Sequence, residues 1–219
     1  MTLIGGPGEP PTMHVGVVAQ RGNDRAVRLA ADLDSFLDAT VRFDTETASA
    51  LDRDGVEPSA MCEYDLVVSI GGDGTFLYTA RTTDGAPILG VNLGEVGFLN
   101  PLAPEEAPAV VAETVAAIRA GEASYRELRR VQAAGEGIDL PPALNEVSVL
   151  GPQRGHGHGV DIEVRLDGET YSEAHADGLI VATPAGSYAY NLPLGDLVLD
   201  PRAAGLVENA MRPDGAIHT

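Results

Sequence analysis

Lysine is missing from this sequence. All 14 basic residues among the 219 are arginine. Without an ammonium side chain there is no Walker A phosphate loop, no Schiff-base lysine and no pyridoxal-phosphate chemistry. Arginine is in turn outnumbered by 33 acidic residues, giving a net charge of -19. That field argues against nucleic acid as a partner. Cysteine occurs once, as Cys62. One thiol makes no internal disulfide and no cysteine-rich zinc site, and it suits a reducing cytoplasm. No apolar run approaches the ~20 residues of a membrane span, so no membrane partner is expected. Residues 1–12 lack the basic start of a signal peptide and are rich in Gly and Pro. They read as a loose leader, with Met13 as a natural start.

The composition that remains is globular, with 44% hydrophobic residues and 26 glycines. At ~150 residues per domain it makes one large domain or two small ones. An acid excess without lysine suits concentrated salt, where carboxylates hold water and ions screen their repulsion. A halophilic source is therefore expected.

The first half alternates strand and helix patterns. Residues 15–19, 41–43, 66–70 and 87–91 read as strands. Asn23 or Asp24 can cap the first helix, whose apolar positions are Ala26, Leu29, Ala30, Leu33, Phe36 and Leu37. Pro104 opens another helix, with Val110, Val111, Val115 and Ile118 as its stripe and Gly121 as its end. Such repetition predicts a Rossmann-like parallel sheet with helices on its faces. Ligands of these sheets bind at the carboxyl ends of the strands. Beyond Gly121 the pattern turns to β. Residues 125–133, 143–150, 160–166 and 179–182 read as strands, and Asp167-Gly168 is a hairpin turn signal. Residues 206–219 show little strand character. The expected architecture is an α/β domain over 13–121 followed by a mostly β domain over 122–219.

Gly71-Gly72-Asp73-Gly74-Thr75 follows the most apolar strand and precedes a helical segment over 76–81. Glycines let backbone approach a phosphate and adopt positive φ, and helix-start N–H groups favour an anion. A carboxylate in the middle suits a base, or a group working through a metal cation. The bland alternative is a tight turn with Asp73 as a helix cap. The loop from Asn92 through Gly94 and Gly97 to Phe98 ends the next strand, so both loops should face one crevice. Asn145-Glu146 is a polar pair inside an apolar strand; one of the two must face inward or reach a ligand. From Asp177 a strand leads to the polar loop Thr183-Pro184-Ala185-Gly186-Ser187. Its neighbours Tyr188, Ala189 and Tyr190 could stack on a base. His156-Gly157-His158 lacks a third ligand nearby and reads as a solvated loop. No metal ligands are assigned.

Together these segments resemble the NAD kinase family, in order and over most of residues 13–200. The Gly-Gly-Asp-Gly-Thr loop alone is shared with diacylglycerol and sphingosine kinases; the later segments are more specific to NAD kinases. The resemblance implies transfer of a phosphoryl group from ATP, or in some relatives from polyphosphate, to the 2′-hydroxyl of the adenosine ribose of NAD, with Mg²⁺. It implies Asp73 as general base and Gly71, Gly72, Gly74 and Thr75 beside the donor phosphates. Asn145, Glu146 and Asp177 match residues that bind the dinucleotide. Tyr188, Ala189 and Tyr190 match the adenosine pocket, Phe98 matches an apolar wall near it, and His175 sits where relatives often carry a basic residue. Partners implied are NAD, ATP and further copies of the chain, as a homodimer or homotetramer.

The chain departs from that pattern in places. Tyr188 stands where relatives usually have Thr. Pro193, Leu194 and Asp196 replace small residues and a second glycine. Relatives typically continue through further strands, so a shortened second domain is expected. A non-catalytic NAD-binding relative is the alternative these departures raise, and a lipid kinase is a third reading.

Overall fold

The computed structural model describes residues 12–94, 97–151, 159–195 and 197–212. Their contacts fall into two units, divided between Tyr125 and Arg126.

The first unit runs β1 (His14–Ala19), α1 (Asp24–Phe36), β2 (Thr40–Phe43), α2 (Thr45–Ala50), a 3-10 turn (Pro58–Glu63), β3 (Leu66–Gly71), α3 (Asp73–Thr82), β4 (Ile88–Asn92) and α4 (Ala107–Ala120). The four strands form one parallel sheet in the order β2-β1-β3-β4. Every residue of β3 is buried, as a strand covered on both faces should be. Asn23 rather than Asp24 caps α1, its side chain accepting from the amides of Arg25 and Ala26. The helix buries Ala26, Leu29, Ala30 and Leu33 against the sheet. Phe36 does not join them: it is 59% exposed, while its neighbour Leu37 takes the core-facing position. Pro104 lies in the turn ahead of α4, which begins at Ala107. Its stripe packs as read, and Gly121 ends it at φ 71, a left-handed cap.

The second unit runs β5 (Ala134–Gly135), β6 (Ile138–Asp139), β7 (Glu146–Leu150), β8 (Val160–Leu166), β9 (Glu169–Ala176), β10 (Gly178–Ala182), a 3-10 turn (Gly186–Tyr188), the short α5 (Leu192–Gly195) and β11 (Val207–Met211). Its pairings are antiparallel: β11-β10-β7, β8-β9 and β5-β6. Asp167 and Gly168 take φ 51 and 89, the doubly left-handed turn that matches strand twist.

Three expectations need correction here. Residues 125–133 form no strand, only a bridge from Val131 to Ala143. Arg126, Glu127, Arg129 and Arg130 leave that segment no face to bury. The strand expected over 143–150 starts only at Glu146, because the carbonyls of Leu144 and Asn145 are taken by Thr183 instead of a ladder. Residues 206–219 do contain a strand, β11, whose Glu208 and Asn209 disguise it; pairing with β10 overrides their low β-propensity. His156, His158 and Asp196 lie outside the described residues. Among the described residues no helix is long and apolar enough to cross a membrane.

Candidate active site

β3 and β4 end side by side, with Gly71 in register with Asn92. Parallel pairing therefore delivers both glycine loops to one sheet edge. Asn92 shapes the second loop by accepting the amide of Gly94 at 3.0 Å, while Leu93 donates back to Gly71 O at 3.4 Å.

Asp73 is the first residue of α3, behind Gly72 at the N-cap. It does not cap its own helix. Its carboxylate reaches across to the second loop, where Oδ2 accepts Phe98 N at 3.1 Å and Oδ1 accepts Leu99 N at 3.2 Å. Two fixed amides hold the carboxylate, which is only partly covered. A carboxylate has about four lone-pair sites, so two bonds leave acceptor capacity for a further proton donor.

The glycines serve this loop through space rather than through φ. None of Gly71, Gly72 and Gly74 has positive φ, contrary to expectation, because α3 starts at once and extended or helical angles suffice. A Cβ on Gly71 would collide with Thr75 Oγ1 and stand 2.9 Å from Gln20 Cβ. A Cβ on Gly72 or Gly74 would meet nothing within 4 Å. The faces of these two residues are open. Phe98 is 47% exposed, an apolar ring at the rim of the same edge.

In the second unit, Thr183 ties the β10 exit to the start of β7. Its Oγ1 donates to Leu144 O at 2.6 Å and accepts Gly186 N at 2.9 Å, and its own amide donates to Asn145 O at 2.8 Å. Gly186 packs so closely on the Asn145 backbone that no Cβ fits there. Asn145, Glu146 and the loop through Ser187 to Tyr190 thus belong to one bonded assembly. Burial raises the Glu146 carboxyl above its usual 4.5, and its Oε2 has no partner among the described residues. Tyr188 and Tyr190 are exposed and Ala189 half-buried. Leu194, one of the departures from the family pattern, packs on the Ile180, Ala182 and Val207 core.

His175 and Asp177 flank the end of β9. His175 pairs across the hairpin with Asp161, Nδ1 to Oδ1 at 2.7 Å. Asp177 lies 3.5 Å from Arg212. No cluster of three metal-ligating side chains occurs among the described residues. Sequence reading placed Gly97 in the second loop without its contact to Asp73, and missed Asn100, which packs on the first loop. A buried asparagine just ahead of Pro101, in an otherwise apolar stretch, was the available signal.

Comparison with known proteins bears on this arrangement. Residues 38–119 match the ATP-NAD kinase N-terminal domain and residues 144–214 the ATP-NAD kinase C-terminal domain. The chain belongs to the NAD kinase family. The second match sets the lipid-kinase reading aside. The NAD kinase of Natronomonas pharaonis is 50% identical over 199 residues, covering 91% of this chain and 74% of that relative. That of Halobacterium salinarum is 52% identical over 206 residues, covering 91% and 73%. Both are proteins of halophilic archaea, the kind of source that the acid excess suggested. An NAD kinase from Archaeoglobus fulgidus in complex with ATP superposes with a TM-score of 0.70 at 26% identity, over 92% of this chain and 73% of that one. A yeast NADH kinase complexed with NADH shares the fold, with a TM-score of 0.75 at 22% identity over 94% and 67%.

Proposed function

We propose that this NAD kinase moves the γ-phosphoryl group of ATP to the 2′-hydroxyl of the adenosine ribose of NAD, with Asp73 as the base. The observation that carries the reading is the Asp73 carboxylate, fixed by the amides of Phe98 and Leu99 at the joint of two glycine loops. A ribose hydroxyl is a poor nucleophile. Asp73 takes its proton as the 2′-oxygen bonds to the γ-phosphorus, the bond from phosphorus to the bridging oxygen breaks, and ADP leaves. A base so placed contributes ~10²–10⁴-fold, and holding it rigid reduces the entropy cost of alignment.

The open faces of Gly72 and Gly74 and the amides at the start of α3 receive the donor phosphates, with Gly71 and Thr75 shaping the turn beneath them. The ATP-bound relative supports ATP over polyphosphate as donor. Mg²⁺ would be carried mainly by the substrate phosphates. Bound there, the ion neutralises developing charge that no lysine is present to meet. In the second unit, Asn145, Glu146, His175 and Asp177 take the dinucleotide, with Tyr188, Ala189 and Tyr190 around its adenosine; in the first unit, Phe98 is an apolar wall for the nucleoside. The enzyme works in the cytoplasm as a homo-oligomer; the exposed apolar side chains of Val149, Leu150 and Tyr171 give such an assembly surface to bury.

Nothing among the described residues favours a non-catalytic relative. Thr183 bonds Leu144, Asn145 and Gly186, and Leu194 packs on the core. The test is NADP formation from NAD and Mg-ATP in molar KCl, with polyphosphate in a parallel reaction. Asp73→Asn should lower kcat by roughly 10³-fold while calorimetric NAD affinity holds. Turnover at the wild-type rate in that variant rejects Asp73 as base.

A further inference from the structure

We propose that Asn100 is a positioning residue for Asp73, acting through the backbone of the Gly71 loop; the inference rests on the reading of Asp73 as base. Asn100 is 1% exposed, and its Nδ2 donates to Gly71 O at 3.4 Å. The two residues before it donate their amides to the Asp73 carboxylate. Three successive residues thus grip both ends of Gly71-Gly72-Asp73. Phe98 and Leu99 fix the carboxylate itself. Asn100 fixes the point at which the chain leaves β3, on a carbonyl it shares with the amide of Leu93.

The other half of the carboxamide makes the case. Asn100 Oδ1 is buried with no hydrogen-bond partner among the described residues. It fills the space that a Cβ on Gly90 would occupy, beside the ring of Phe76. A bare buried acceptor destabilises a fold, and a small apolar residue would avoid the penalty. Packing alone therefore supplies no reason for an amide at this place; the Nδ2 donor does. Its orientation is fixed by chemistry, because the reversed amide would set two acceptor oxygens against each other at Gly71. Asn100 is covered by the loops it joins, so it reaches substrate only through Asp73.

The full chain, assayed in molar KCl at saturating NAD and Mg-ATP, tests this with two variants. Asn100→Ala removes the tie, and kcat should fall by roughly 10–10²-fold, the scale of a misplaced catalytic group, with KM for both substrates unchanged. Asn100→Asp keeps the shape. Its neutral acid can donate an O–H to Gly71 O, and its carboxylate cannot. The kcat of Asn100→Asp relative to wild type should therefore climb as pH falls. Wild-type kcat in Asn100→Ala, or a ratio flat with pH in Asn100→Asp, overturns the proposal. Should Asn100→Ala melt below the assay temperature, the ratio alone decides. Asp73→Asn separates the two ideas: if it is inactive while Asn100→Ala is normal, only the role of Asn100 fails; if it is active, the base assignment fails first.

Discussion

The carboxylate of Asp73 occupies the space that a side chain on Gly97 would need. A Cβ at position 97 would overlap Asp73 Oδ1 and stand 3.1 Å from Cγ. The second loop can thus bring two amides onto the carboxylate only because residue 97 has no side chain. Gly97→Ala should push the acid out of place and lower kcat by roughly 10²-fold. Because Gly97 lies in a loop away from the buried sheet, the melting temperature should change little. Steady-state NADP formation beside a thermal melt measures both.

Gly74 gives the opposite contrast. A Cβ there meets nothing within 4 Å, and the residue lies in the first turn of α3. Alanine is the better helix former by up to about 1 kcal/mol, worth roughly 2–4 °C in a chain of this size. Gly74→Ala should melt no lower than wild type yet show a raised KM for ATP, since the new methyl group stands where donor phosphates are proposed to lie. A lowered melting temperature with unchanged KM would mean that the open space serves the fold and not a ligand.

The parallel half of the fold was legible because its signals are local. Apolar runs mark β1 to β4, Asn23 starts α1, and Gly121 ends α4. The hairpin at Asp167-Gly168 is equally local. What escaped notice depends on partners distant in sequence. β11 is held by pairing with β10 despite Glu208 and Asn209. At the end of α1 it is Leu37, not Phe36, that meets the core. The site divides in the same way. Asp73 stands out as a carboxylate among glycines, but its holders are backbone amides at Phe98 and Leu99, and amides leave no mark on a sequence.

Glu146 carries a pH signature. Burial raises its carboxyl above 4.5 in the folded chain, so folding favours the protonated form. Its stabilising contribution is complete below the unfolded value and is lost as pH rises through the higher folded one. At neutral pH the charged, half-buried group opposes folding. Glu146→Gln should therefore raise the melting temperature near pH 7 and lose that advantage as pH falls toward 4.5. If Glu146 also binds the dinucleotide, the same variant weakens NAD affinity at neutral pH. Melts across pH, paired with calorimetric titration of NAD, report the two effects separately.

Salt acts on the whole molecule through the same electrostatics. The net charge of -19 sets acidic groups against one another over most of the surface. Salt shortens the reach of that repulsion, from about 10 Å at 0.1 M to about 3 Å at 1 M. It also weakens ion pairs such as Arg25–Glu105 and Arg21–Glu46, but these are well exposed, and exposed pairs contribute ~0–1 kcal/mol each. Relief of repulsion therefore outweighs their loss. The melting temperature should climb by several degrees between 0.1 M and 2 M KCl, with most of the rise complete by about 1 M, where screening has become short-ranged. Burial of apolar surface also strengthens in sulfate, more than in chloride of equal ionic strength. A melt series in both salts separates the two contributions: a curve set by ionic strength alone marks charge screening, and a flat chloride series would show that the acidic surface is not what limits stability.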